Sequence, residues 1–211
     1  MKNKKNTNSV YLSWFLFNYQ KHILDEIIEY DKIKHIQKGR TDMEVKEALL
    51  KRRSIRKFKE DLISDEIIEE LLHAAMSAPS ACNRRPWEFY VVTNKDKLLE
   101  LKKASRFARY DAPLAIVVCG NLSKALPLSL STYWIQDCSA ATENILLRVT
   151  DLNLGAVWCG AHPQKKVEEN IREILNISEK EVPLNIIFIG YPIEEIEPRD
   201  QYDNKKIHYI K

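Results

Sequence analysis

The chain has 211 residues, of which 45% are hydrophobic and 30% charged, the composition of a globular protein of one or two domains and not of a disordered one. Net charge is +3, too small for a nucleic-acid-binding protein, and the surplus is local: residues 1–42 hold 8 Lys/Arg against 5 Asp/Glu, whereas residues 43–211 hold 25 of each. Only 5 glycines occur, and neither G-x-G-x-x-G nor G-x-x-x-x-G-K is present, so a glycine-rich phosphate loop is excluded.

The chain opens on Lys2, Lys4 and Lys5 followed by an apolar run at 10–17. This is the longest such run, and it is too short for a bilayer, which needs ~20 residues. No small-residue cleavage site follows, only Asn18-Tyr19-Gln20-Lys21, so neither export nor a membrane span is expected. Ile23, Leu24, Ile27 and Ile28 carry a loosely helical spacing that predicts an amphipathic helix over about 20–37. Lys38-Gly39-Arg40 is encodable by a purine-rich stretch resembling a ribosome-binding site, just ahead of Met43. Residues 1–42 are therefore read as an extension, with native translation expected from Met43; the competing reading is a genuine helix packing on the body or a partner.

From Met43 the pattern is regular. Asp42 caps a predicted helix at 44–53 with Val45, Ala48 and Leu49 on its inner face. Ser64 caps a second at 65–77, whose Ile67, Ile68, Leu71, Leu72, Ala75 and Met76 form one stripe. A Pro/Ser/Asn loop at 78–86 leads to a strand at 87–93, and Asn94 caps a helix at 95–104. Residues 114–119 form a continuous apolar strand. The longest helix is predicted at 131–152, with Ala140, Ala141, Ile145, Leu146 and Val149 inward and Gly155 just past its end. A strand at 156–159, a helix opened by Pro163 and running to about 175, and a buried strand at 184–190 complete the body. Alternation of strands and helices by itself points to a parallel doubly wound sheet, although spacing does not set strand direction.

Three segments carry candidate chemistry. In 51–59, six of nine residues are basic and none is acidic. A guanidinium's planar fork suits phosphate, and a contact to a charged group is worth ~1.5–3 kcal/mol, so three or four would hold a mononucleotide without a glycine loop. A solvated helix end explains the same run. In 77–87, small residues admit a flat ring, and Asn83 both donates and accepts, although Pro, Ser and Asn also suit an ordinary turn. In 154–163, Gly160 permits close approach at a strand end. His162 is a candidate acid or base there, with a structural role the simpler reading. Cys82, Cys119, Cys138 and Cys159 form no C-x-x-C and have no metal-ligand spacing, so reduced, mostly buried thiols in a cytoplasmic protein are expected.

KRRSIRKF (51–58), SAPSACNRRPWEF (77–89), DCSAATENILLRVTDLNLGAVWCGAHP (137–163) and IGYPIEEIEPRDQYD (189–203) together resemble the short branch of the nitroreductase family of FMN-dependent enzymes. The resemblance spans nearly all of 43–211 and leaves 1–42 without a counterpart. It implies an α+β fold, a three-layer α/β/α sandwich around a mainly antiparallel sheet, in place of the parallel one. It also implies an intertwined homodimer with two FMN sites at the interface, each C-terminal tail extending the partner's sheet. Residue by residue, Arg52, Arg53, Ser54 and Arg56 match the holders of the FMN phosphate, ribityl chain and nearby ring edge, Arg53 being the candidate beside the N1–O2 edge. Pro79, Ser80, Ala81 and Asn83 match a loop given by the other subunit. Cys159 and Gly160 match the segment facing flavin N5, and Arg199 a late basic residue near the phosphate. Arg84-Arg85 depart from the family's uncharged residues, and 107–133 carry no matching motif. The implied activity is hydride transfer from NADH or NADPH through the flavin to a small-molecule electron acceptor such as a nitroaromatic or quinone, with no catalytic side chain and no metal. A non-redox FMN storage or regulatory protein is the alternative, and an RNA- or phosphate-binding module a third.

Overall fold

A computed structural model describes residues 43–194 and 196–211, and Met43–Lys211 forms a compact unit by itself. The helix expected at 20–37, the role of 1–42 and the Asp42 cap lie outside the described residues. Helix α1 is Val45–Lys51, with Glu44 at its N-cap making no side-chain bond. Of its three expected inward residues only Ala48 is buried; Val45 is 72% and Leu49 56% exposed. The helical period is right, but the chain lays only one edge of this helix on its own body.

Helix α2 is Asp65–Met76, and Ser64 Oγ accepts from the Ile67 N–H at 3.4 Å. Strand β1 is Trp87–Val92 and helix α3 is Lys95–Ala104, where Asn94 Oδ1 accepts from the Lys97 N–H at 3.1 Å. Strand β2 (Leu114–Asn121), helix α4 (Tyr133–Asp151), strand β3 (Gly155–Gly160), helix α5 (Lys165–Leu175) and strand β4 (Glu181–Gly190) follow. The stop after α4 is not Gly155. Asn153 takes the left-handed conformation (φ 56°), with Asn153 N–H on the Thr150 carbonyl and Leu154 N–H on that of Val149. Nor does Pro163 open α5: the Gln164 N–H bonds the Ala161 carbonyl in a turn, and the helix starts at Lys165.

The sheet runs β1-β2-β4-β3 with every pairing antiparallel, which overturns the parallel order that alternation alone points to and agrees with the α+β resemblance. The connections through α3 and α5 join antiparallel neighbours, whereas β2 and β3, joined through α4, run in the same direction on either side of β4, and sequence spacing carries no sign for that. Strand β4 is buried along almost its whole length because helices cover both faces. One core joins α2 and α4 to Leu114, Ile116, Ala156 and Ile187. The other joins α3 and α5 to Ala115, Val117, Val157, Cys159 and Phe188. These are the three layers. No described helix is long and apolar enough to cross a membrane.

Candidate functional site

Past α1 the basic run leaves the helix and lies along β3. Ser54 bridges Ala156 in parallel, and the Ile55 N–H bonds the Ala156 carbonyl at 2.9 Å. A Cβ on Gly155 would stand 2.6 Å from Ile55 Cγ2, so Ile55 seats only because that side chain is missing. The three arginines are incompletely matched. Arg52 Nε meets Glu143 Oε1 at 3.2 Å, Arg53 Nη1 donates to the Glu197 carbonyl at 2.5 Å, and Arg56 Nη1 reaches only the Ser54 carbonyl at 3.3 Å. Each guanidinium has five N–H donors, so most remain available. The Arg199 N–H bonds the Leu50 carbonyl at 3.3 Å, which holds Arg199 against the end of α1. Arg52, Arg53 and Ser54 thus lie between the end of α1 and the start of β3, the Arg199 backbone meets the end of α1, and the Arg56 charge acts on Cys159 further along β3.

At the other end of β3, Gly160 is exposed, and a Cβ placed there would find no atom of the described residues within 4 Å. Its pairing partner Asn185 is fully buried; Nδ2 donates to Thr142 Oγ1 at 2.9 Å, and Oδ1 has no hydrogen-bond partner among the described residues. Cys159 is buried, with Sγ 3.4 Å from the Phe107 carbonyl. Burial pushes its thiol up to about 11, against the opposing pull of the Arg56 charge. His162 Nδ1 lies 2.8 Å from Glu168 Oε1, and its ring stands edge-on to Trp134 with centroids 5.0 Å apart.

The 77–86 loop is placed differently. Residues Ala81–Asn83 form a 3-10 turn, with positive φ at Cys82, Asn83 and Arg85. The Ala81 N–H bonds Asp137 Oδ1 at 2.8 Å, and Ser80 Oγ accepts from the Arg85 N–H at 2.9 Å. Pro79 and Asn83 are exposed. Among the described residues, no hydrogen bond or ion pair joins Pro79, Ser80, Ala81 or Asn83 to residues 52–56 of the same chain; the loop is moored to α4.

The nitroreductase family model matches residues 49–108 and 97–191. This chain belongs to the nitroreductase family. It is 40% identical over 179 residues to a Methanothermobacter thermautotrophicus protein provisionally named as an NADH dehydrogenase/NAD(P)H nitroreductase, covering 84% of this chain and 92% of that one. An FMN-dependent nitroreductase structure from Clostridium difficile superposes with a TM-score of 0.71 at 35% identity, covering 78% of this chain and 98% of that one. A Bacillus subtilis protein named FMN reductase [NAD(P)H] is 24% identical over 79% of this chain and 73% of its own length.

Among the described residues of this nitroreductase-family chain, no cluster of His, Cys, Asp and Glu has the geometry to hold a metal. The four cysteines are free. Burial pushes the Cys138 thiol up to about 12 and that of Cys119 well above its ordinary value, so neither these nor Cys159 is a thiolate nucleophile near neutral pH. Sequence reasoning missed two groups at the tip of β3. Phe107, 52% exposed with the Arg106 guanidinium 4.6 Å from its ring centre, lies in a stretch without a motif. Glu168 reads in sequence as one acid of a charged helix face, and only the fold buries it against His162.

Proposed function

We propose that this protein binds FMN and transfers two electrons from NADH or NADPH to a small oxidised acceptor, a nitroaromatic or a quinone. The donor set fits the group. Arg52, Ser54, Arg56 and Arg199 would hold the phosphate and ribityl chain through charge-assisted hydrogen bonds. Arg53 would lie beside the ring's pyrimidine edge, where a cation favours the negative charge of the reduced form. Gly160 would let the ring approach the backbone. The bound flavin supplies the redox chemistry, taking a hydride equivalent from NAD(P)H and yielding it to the acceptor. The chain's part is to bind, to orient, and to hold positive charge near the ring.

The working molecule on this reading is a homodimer, with Pro79, Ser80, Ala81 and Asn83 completing the site of the other subunit. Their separation from the basic segment within one chain supports this. So do the exposed α1 face at Val45 and Leu49 and the exposed tail residues Tyr209 and Ile210, which give a second copy apolar surface to cover. The extension 1–42 is assigned no part in the chemistry, which lies within a flavin domain at 43–211.

The observation that carries the proposal is the open face of Gly160, joined by one short strand to three guanidiniums with vacant donors. The test is a visible spectrum of purified protein, followed by anaerobic addition of NADH and NADPH. Yellow protein that bleaches on addition supports the proposal. Yellow protein that does not bleach supports a flavin-storage role instead. A colourless monomer with no affinity for FMN overturns both.

A further inference from the structure

We infer that His162, held by the buried carboxylate of Glu168, is the acid that protonates the acceptor during its reduction; this rests on the flavin reading above. The first ground is facing. Ala156 belongs to the core shared with α2 and α4, and Val157 and Cys159 to the opposite one. Alternation therefore puts Gly160 on the α2/α4 face. Trp134 lies in that same core, and the His162 ring rests against it. The imidazole and the open surface of Gly160 thus lie on one side of the sheet, two residues apart. Cys159, the other protic side chain at the strand tip, points to the other side.

The second ground is the second sphere of partners. Glu168 is 2% exposed, a costly placement for a carboxylate unless it is paired. Its Oε1 lies 2.8 Å from His162 Nδ1 and its Oε2 3.2 Å from Lys165 Nζ. The carboxylate accepts a hydrogen bond from Nδ1–H, which fixes the ring and leaves Nε2 as the nitrogen able to hold and release a proton. The charged groups facing the ring are Glu168 and Lys165, both from α5. Helix α4 contributes the uncharged Trp134, and β4 the Leu184 carbonyl, which accepts the His162 N–H at 3.1 Å. The side chain remains 22% exposed, so solvent reaches the ring.

The chemistry calls for such a group. Reducing a quinone to its hydroquinone takes two electrons and two protons. A hydride equivalent brings both electrons and one proton, forming one O–H bond. The second oxygen then needs a proton alone. The Nε2–H bond of the His162 imidazolium breaks, the second O–H bond forms, and neutral imidazole takes up a proton from water. The only reductant needed is NAD(P)H.

The test separates the two half-reactions of the FMN-loaded enzyme by anaerobic rapid mixing. In His162→Gln, bleaching by NAD(P)H should keep its wild-type rate, while reoxidation by 2-methyl-1,4-naphthoquinone should slow by roughly 10²-fold. Glu168→Gln, which keeps the ring, should slow the same step less. A readout without turnover is ¹⁵N NMR of histidine-labelled oxidised enzyme. The quinone alone should shift His162 Nε2, and Nδ1 should carry a proton that Glu168→Gln disturbs. A folded, yellow His162→Gln enzyme with unchanged reoxidation overturns the inference. So does a saturating quinone that leaves the His162 signals unmoved, a result that needs no variant to fold. If wild-type flavin is never bleached by either nicotinamide, it is the oxidoreductase reading that falls, and this inference with it.

Discussion

Two arginine arrangements border α4, and they differ in how fully they are matched. Arg148 reaches Glu70 with one end of its fork and Asp151 with the other, and Asp151 also takes the Met43 N–H at 3.1 Å. Among the described residues, Arg52, on the same helix's flank, meets only the half-exposed Glu143, and Arg56 only a carbonyl. The first guanidinium is closed on the chain's own acids and serves as scaffold. The second group is left with vacant donors, as expected of residues that await an anion. Glycines divide in the same way. Gly120 and Gly155 lack side chains because Trp134 and Ile55 occupy the space, whereas no described residue occupies the space at Gly160.

The largest effect expected from this contrast is on the open side. Arg52→Ala combined with Arg56→Ala removes two charged contacts of ~1.5–3 kcal/mol each, so FMN affinity should fall by more than about 10²-fold and the protein should purify colourless. Its folding stability should stay within about 1 kcal/mol of wild type, because exposed pairs contribute little. Stoichiometric FMN in the double variant, measured by release and absorbance, would break the comparison. Next in size, Arg148→Ala should cost about 3 kcal/mol in urea denaturation, since it strips a guanidinium from two largely buried acids, while the flavin content of folded protein stays normal. The glycines sharpen the contrast further. Gly120→Ala overpacks against Trp134 and should cost about 1–3 kcal/mol; Gly160→Ala should leave stability unchanged and weaken FMN binding.

The smallest effect is a pH dependence. Unfolded thiols ionise from about pH 8.5, whereas buried Cys159 and Cys138 hold their protons to about 11 and about 12. Above pH 8.5 the native state thus binds more protons than the unfolded one, and stability falls with rising pH until the native thiols also ionise. Denaturation midpoints at pH 8 and pH 10 should show a shallower drop in Cys159→Ala than in wild type; equal slopes would contradict the burial.

Helix caps were legible because they are local: Ser64 and Asn94 act through an N–H three residues away, and both do so here. Both apolar strands, β2 and β4, were legible from their unbroken runs. Strand direction was not, because it depends on which strands become neighbours. Val45 and Leu49 were misplaced because an apolar stripe records that a surface will be covered, not by what. At the site, Gly160 and the basic run stand out as residue types. Phe107 and Glu168 do not: a carbonyl 52 residues from Cys159 and a carboxylate at the foot of another element carry no signature in the linear order.

The stitch between Ile55 and Ala156 has a metric consequence. Four residues of extended strand, ~13 Å, separate that stitch from Gly160. On the proposed reading, the segment that would anchor an anion and the surface that would receive a ring are thus fixed to one strand, like jaws on a caliper. A ligand gripping both must keep its anionic group and its flat ring about that far apart, so the length of its spacer becomes a criterion of selection alongside the chemistry of its ends.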